Sequence, residues 1–418
     1  MSQPSPRPLS TTTRQAPAAA MQWASAVADA PVLETAVTDA AQAVARTLGA
    51  ATADLLIAFV SPHHAAHFRD LPRLLRTALP HEVLLGCSAG GVIGGGREVE
   101  ERPGLALTAA RLPGVTATPI ALTSEDLPDS DAGPRAWHEA IGIPPEPRPH
   151  FILLADPFSI PAEDLLAGLD FAYPSSQKVG GLASAARRPG ENALYLADRI
   201  LNAGAVGVAL SGNIELDTVV AQGCRPVGKP MQITRADRNV LLELDGQSPL
   251  KAVVEMLNGL APADQKLAQQ ALLLGIVMDN MISTPGPGDF LIRNIIGVDR
   301  ERGLLAIGEV LREGQIVQFH LRDAKTAAED LSGILSRYAM EETSGAARGA
   351  LLFSCLGRGA HLYGRPDHDT DLFRTALGGL PLGGFFCNGE IGPVGGITRL
   401  HGFTSSFGIF RPASEVAK

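Results

Sequence analysis

The sequence predicts an α/β protein of two lobes, with mixed, partly antiparallel β-sheets flanked by helices and built from pseudo-repeated strand–helix–strand units. Three observations lead there. Short apolar runs alternate with helix-period segments up to Gly223; strand-like runs follow one another without helices between 271 and 322; and one strand–helix–strand–glycine pattern recurs along the chain. Apolar residues make up 45% of the 418, enough to fill such cores and too many for a disordered chain.

Residues 1–20 are mostly Pro, Ser, Thr and Ala and read as a disordered tail. Leu33, Val37, Val44 and Leu48 recur at helical spacing and predict a helix over about 32–48. Asp54–Val60 is a buried strand, Phe68, Leu71, Leu75 and Leu79 a helix face, and Glu82–Leu85 a second strand. Further strands are predicted at 105–109, 151–155, 193–196, 205–210 and 214–220. Pro161 with Glu163 and Asp164 marks a helix start, because proline has no amide to leave unpaired and acids suit the positive helix end. Beyond Gly223, Met231–Arg235 and Asn239–Leu244 read as adjacent strands, a helix covers about 249–259, and antiparallel pairing fits 271–322. The expected organisation is a tail over 1–20, one domain over 21–228 and another over 229–412.

The repeat carries the functional reading. In one copy a strand ends at Ser61, a helix runs to Leu79, and a strand leads into the turn Gly86-Cys87-Ser88, followed by Gly90. In another a strand ends at Ser354-Cys355, a helix lies near 368–378, and a strand leads into Cys387-Asn388-Gly389. A weaker copy runs from 151–155 through 162–172 to Val179-Gly180-Gly181. Ligands of such units sit at the carboxyl ends of strands, where glycine turns leave amides free. The turns at 86–90 and 387–389 are therefore expected to donate amides to one shared cavity. In Ser354-Cys355-Leu356-Gly357-Arg358-Gly359, Arg358 is placed to hold a carboxylate or to pair with an acid such as Glu390. Glu390, just past a buried strand, is a costly charge that asks for a partner.

These two stretches resemble the C-terminal FIST domain, with a Cys-Asn-Gly turn at 387–389 and Gly389-Glu390-Ile391-Gly392-Pro393 after it; Leu400-His401-Gly402-Phe403-Thr404 is similar as well. Gly86-Cys87-Ser88-Ala89-Gly90 and Val206–Gly212 look like the N-terminal FIST domain. Leu356 departs from the pattern, since the family commonly has Asn there. The resemblance covers about 50–410 and implies a sensory module of intracellular signal transduction that binds a small ligand such as an amino acid. The segment before the first matched strand is too short for an output region, so signalling is expected to pass through a separate partner protein.

Other readings are bounded by composition. A net charge of −9 without a Lys/Arg cluster argues against a nucleic-acid surface. Four scattered cysteines fit a reduced, cytoplasmic compartment, no signal peptide is evident, and no apolar run reaches membrane-spanning length. A thiol enzyme would use Cys355 or Cys387 with His401 or His361 as base, yet no local nucleophile signature is present, so no catalytic residue is assigned. A haem-binding gas sensor, as some FIST relatives are described, would draw on His63, His64 and His67; no metal or cofactor is expected. Gly223-x-x-x-x-Gly228-Lys229 approaches a phosphate-binding loop, but Pro230 supplies no hydroxyl and a strand follows.

Overall fold

The computed structural model describes residues 20–413 apart from 50–51, 130, 280–281, 283–284, 287 and 342. The expected disordered tail lies outside the described residues except for Ala20.

One strand order occurs three times. The first copy runs β1 (Gln22–Ala28), α1 (Leu33–Leu48), β2 (Ala53–Val60), a 3-10 segment (Pro62–Asp70), α2 (Leu71–Ala78), β3 (His81–Ser88), the hairpin of β4 (Gly91–Gly94) and β5 (Arg97–Glu100), and β6 (Leu105–Arg111). The second repeats it as β7 (Val115–Leu122), α3 (Pro134–Ile141), β8 (His150–Ala155), α4 (Ala162–Ala172), β9 (Lys178–Leu182), the hairpin of β10 (Leu194–Leu196) and β11 (Arg199–Leu201), and β12 (Ala205–Gly212).

The third copy opens with β13 (Glu215–Ala221) and is then interrupted by a closed barrel. That insertion comprises β14 (Cys224–Asp237), β15 (Val240–Leu244), α5 (Pro249–Asn258), α6 (Pro262–Ala271), β16 (Leu272–Val277), β17 (Phe290–Asp299), β18 (Leu304–Ile307) and β19 (Ile316–Arg322). The copy resumes with α7 (Ala324–Ala339), β20 (Gly349–Cys355), α8 (Gly359–Tyr363), α9 (His368–Leu377), β21 (Leu382–Cys387), the hairpin of β22 (Glu390–Val394) and β23 (Ile397–His401), and β24 (Ser405–Arg411). The expected mixed α/β fold, with antiparallel strands over 271–322, is what the chain adopts; the copy that the sequence shows only faintly is a full equal of the others.

Each copy forms a sheet around one parallel pair: β2 with β3, β8 with β9, β20 with β21. A glycine sets the close approach within each pair. A Cβ on Gly86, Gly180 or Gly384 would lie 2.2, 1.8 or 1.9 Å from the carbonyl oxygen of Ala58, Leu153 or Leu352 respectively. The hairpin that follows each pair leaves its own sheet. β4 pairs with β21, β10 with β3, and β22 with β9, so the three sheets are interlocked in a cycle.

The strands read as continuous apolar runs because both faces are covered. Leu351 and Phe353 of β20 point to a core shared by all three sheets, while Ala350 and Leu352 meet the helical layer. Phe59 stacks on Phe385 at 4.6 Å and Trp23 on Phe410 at 4.5 Å between ring centroids, tying the first sheet to the third. Outside, α1 packs on α2, α3 on α4 and α7 on α9. α1 does so because Leu33, Val37, Val44 and Leu48 fall on its buried stripe. Among the described residues no helix is long and apolar enough to cross a membrane.

One expectation is corrected. Gly86-Cys87-Ser88, Gly180-Gly181 and Cys387 are not turns but extended positions in the carboxyl-terminal parts of β3, β9 and β21. The incoming hairpins hold them extended: Cys87 is opposite Leu194, Gly181 opposite Glu390, and Phe386 opposite Gly91.

Candidate functional site

The carboxyl ends of the three parallel pairs do come together. Gly90 N–H donates to Ser184 Oγ at 2.8 Å, Ser184 Oγ donates to the Phe386 carbonyl at 2.5 Å, and Ser184 N–H donates to the Ser88 carbonyl at 3.3 Å. The turn amides are spent inside the chain, however. Ala89 N–H donates to the Val60 carbonyl and Asn388 N–H to the Leu182 carbonyl, so these two amides are not offered to a guest. Cys87 and Cys387 are fully buried in the shared apolar core, and burial raises both thiols well above the ordinary cysteine range. They act as small hydrophobes. Gly181 and Gly389 are buried beside Cys387, whereas Asn388 is exposed.

The polar cluster forms at the third strand end, against the barrel. β20 delivers Ser354 and Cys355, whose amide donates to the Thr404 carbonyl at 3.0 Å; Leu356 N–H then reaches the Cys387 carbonyl and Arg358 N–H the Cys355 carbonyl at 2.8 Å. This tight bend turns Arg358 inward, and Gly359 continues it at φ +60° with the Glu100 carboxylate only 2.4 Å from where a Cβ would be. Arg358 is fully buried. Its acid is not Glu390 but Asp369, the second residue of α9, bound through Nε at 2.8 Å and Nη2 at 3.2 Å. Ser405 Oγ, at 2.8 Å, and His368 Nδ1, at 3.0 Å, also meet that carboxylate, and Ser354 Oγ stands 3.5 Å from it. Asp369 therefore lies well below the usual carboxylate range, held there against burial by Arg358. Arg358 Nη2 also donates to the Tyr363 hydroxyl at 2.5 Å, and Tyr363 stacks on His368.

From the barrel, β19 ends at Arg322, opposite Cys224 on β14. Arg322 is buried, and among the described residues it makes no salt bridge; its guanidinium lies 5.1 Å from the Phe403 ring centroid. Two glycines make room for the two arginines. A Cβ on Gly357 would be 2.8 Å from Arg322 Nη1, and one on Gly223 3.0 Å from Arg358 Nη1.

Among the described residues, four buried polar atoms in this cluster have no hydrogen-bond partner: Arg322 Nε and Nη2, Arg358 Nη1 and Glu390 Oε1. Glu390 Oε2 accepts from Thr404 N–H at 3.1 Å. Burial pushes the Glu390 carboxyl up to about 8, opposed by that amide and by Arg322 and Arg358, so at neutral pH it is largely a neutral acid. Cys355 is half-buried; burial first and the Glu390 carboxyl second push its thiol up to about 11, leaving it protonated. His401 is no base for it, since the ring is bonded to the Gly392 carbonyl at 3.0 Å and burial lowers its pKa to about 4. His361 is exposed on α8. The His63-His64-His67 segment is a 3-10 helix, where residues four apart do not share a face, and His64 is buried.

The other two strand ends carry no unpartnered charged atom among the described residues, although His64 Nε2 and the Tyr195 hydroxyl at the first are buried without a partner. In the second copy Asp156 is satisfied by Asn192 Nδ2 at 2.9 Å and Ser159 Oγ at 2.6 Å, and Ser88 Oγ completes that cluster on Asn192. In the first, Ser61 Oγ accepts from Gly104 N–H at 2.9 Å. Unpartnered guanidinium and carboxyl atoms gather at the third. Sequence reasoning found Cys355, Arg358 and Glu390 but missed Arg322 and Asp369. Arg322 carried a readable signal, a charge closing the buried strand Val317–Leu321; Asp369 carried none.

Family models for the FIST N domain and the FIST C domain match residues 54–247 and 249–393. The chain belongs to the FIST family. FIST domains are sensory domains of signal transduction, and Arg322, Cys355, Arg358, Asp369 and Glu390 all lie within the FIST C match. An uncharacterized protein of Mycobacterium tuberculosis (strain H37Rv) is 38% identical over 384 residues, covering 92% of this FIST protein and 98% of the relative. One from Mycobacterium bovis is 35% identical over 379 residues, covering 89% and 96%. Among solved structures, a cyanuric acid hydrolase aligns at TM-score 0.33 and 8% identity, over 94% of this chain and 100% of its own. The A. caulinodans enzyme aligns at TM-score 0.34 and 9% identity, over 94% and 99%. At that distance none of their chemistry transfers to the FIST site.

Proposed function

We propose that this FIST protein senses a small ligand held beside Cys355, and that the ligand is an amino acid or a similar small zwitterion. One observation carries the reading: among the described residues, three unpartnered guanidinium nitrogens and one unpartnered carboxyl oxygen are buried around a half-buried thiol. Native proteins rarely leave such groups empty, and each costs about 1–3 kcal/mol when they do. A ligand carboxylate satisfies Arg322 and Arg358; a ligand ammonium satisfies Glu390, which then ionises and releases its proton. Cys355 is a wall group in this reading, because a protonated thiol is a poor nucleophile.

Signalling would pass to a separate output protein in the cytoplasm, a location supported by four free cysteines. The test is thermal denaturation of the full chain against a panel of free amino acids, with Arg322→Met and Glu390→Gln alongside. A true ligand at a hundredfold excess over its Kd adds about 2.7 kcal/mol to stability. Both variants are expected to lose that gain. A panel without a single stabilising member, or equal gains in wild type and Arg322→Met, ends the reading.

A further inference from the structure

The near-match to a phosphate loop at Gly228-Lys229 has a different role in the barrel. β14 pairs with β19 at Val227↔Phe319 and again at Met231↔Val317, so Gly228, Lys229 and Pro230 leave the ladder as a bulge. Gly228 takes φ +68°, and its carbonyl is held by Gln318 Nε2 at 2.9 Å. The bulge faces α5, whose Met256 Cγ would stand 2.8 Å from a Cβ at 228. Between them lies a cavity of about 320 Å³. That is the lower end of the range for small-molecule sites.

We propose that this cavity is a second ligand site, for an uncharged aromatic molecule of one or two rings. Its floor and walls are Phe319, Met231, Met256, Ala252 and Leu260. An aromatic ring and two thioethers favour an aromatic guest through offset stacking and sulfur–ring contacts, and methionine adapts to its outline. The rim favours an uncharged one. Lys229 is paired with Asp245 at 3.3 Å, and Glu255 with Lys251 at 3.7 Å and with the Gln247 amide at 3.3 Å, so the rim charges of both signs already have partners. Phe319 and Arg322 lie on the same strand, about 10 Å apart along it. The two sites are separate, and neither needs the other to be occupied.

Isothermal titration of the full chain with 2-naphthol tests the assignment. Saturable binding at one site is expected, weakened about ten-fold or more by Ala252→Phe, which fills the cavity, and by Gly259→Leu, which narrows it from the rim. Gly259 has φ −87° and sits at the exposed end of α5, so that variant folds even if the buried one does not. Arg322→Met leaves binding unchanged, and 2-naphthoate binds about ten-fold more weakly because its charge finds no partner. Absence of 2-naphthol binding, wild-type affinity in Gly259→Leu, or equal affinity for 2-naphthoate would overturn the proposal.

Discussion

Replacing Glu390 by glutamine should remove most of one proton's worth of pH dependence from folding. The wild-type carboxyl is pushed from about 4.5 up to about 8 by burial, so the folded protein keeps a proton that the unfolded chain has already lost over most of that interval. Stability from this group is complete below the unfolded pKa and drains away as pH rises toward 8. The slope is about 1.4 kcal/mol per pH unit for one proton, or about 2–3 kcal/mol between pH 5 and 7. Glutamine keeps the acceptor for Thr404 N–H and has nothing to titrate. Glu98 is also raised to about 8 by burial and by the charge of Asp369, with the same sign, but it is present in both proteins and cancels in the difference. Asp369 is depressed, so its contribution is lost only as pH falls below the window. Urea midpoints for wild type and Glu390→Gln, measured at three pH values from 5 to 7, give the difference directly. Parallel curves would refute a buried neutral acid at this position.

Arg358→Met leaves Asp369 a buried charge without its guanidinium and is expected to cost about 3–5 kcal/mol in urea denaturation; a loss below about 1 kcal/mol would show that the pair is not structural. Gly384→Ala puts a Cβ 1.9 Å from the Leu352 carbonyl and is expected to cost about 3 kcal/mol or more, whereas Gly379→Ala, in open space, changes stability by less than about 0.5 kcal/mol. Equal effects would remove the close-approach argument for the parallel pairs. In native protein near neutral pH a disulfide reagent should modify Cys355 slowly and leave Cys87, Cys224 and Cys387 until unfolding, because burial raises every thiol. A fast-reacting thiol would reopen the case for nucleophilic chemistry.

Much of the local architecture was legible because periodicity reports burial. The helix expected at 162–172 is α4 over the same residues, and 368–378 differs from α9 by one position at its end. Charge at the end of an apolar strand exposed Glu390 and Arg358 as residues needing partners. What periodicity does not report is the partner. Arg358 meets an acid eleven residues on, Asp369, because α9 folds back over β20, whereas Glu390 is drawn onto β9 by the hairpin it begins.

By itself the sequence determined the class of fold, the family, and which side chains would be expensive to bury alone. Tertiary structure decided that three copies interlock by exchanging hairpins, that two of the suspected cysteines are plain core, and that a barrel residue completes the polar cluster. The reason is physical: a strand's side-chain alternation encodes which face is buried, but a backbone N–H donates equally well to any strand edge of the right spacing, and that choice is settled only by long-range packing.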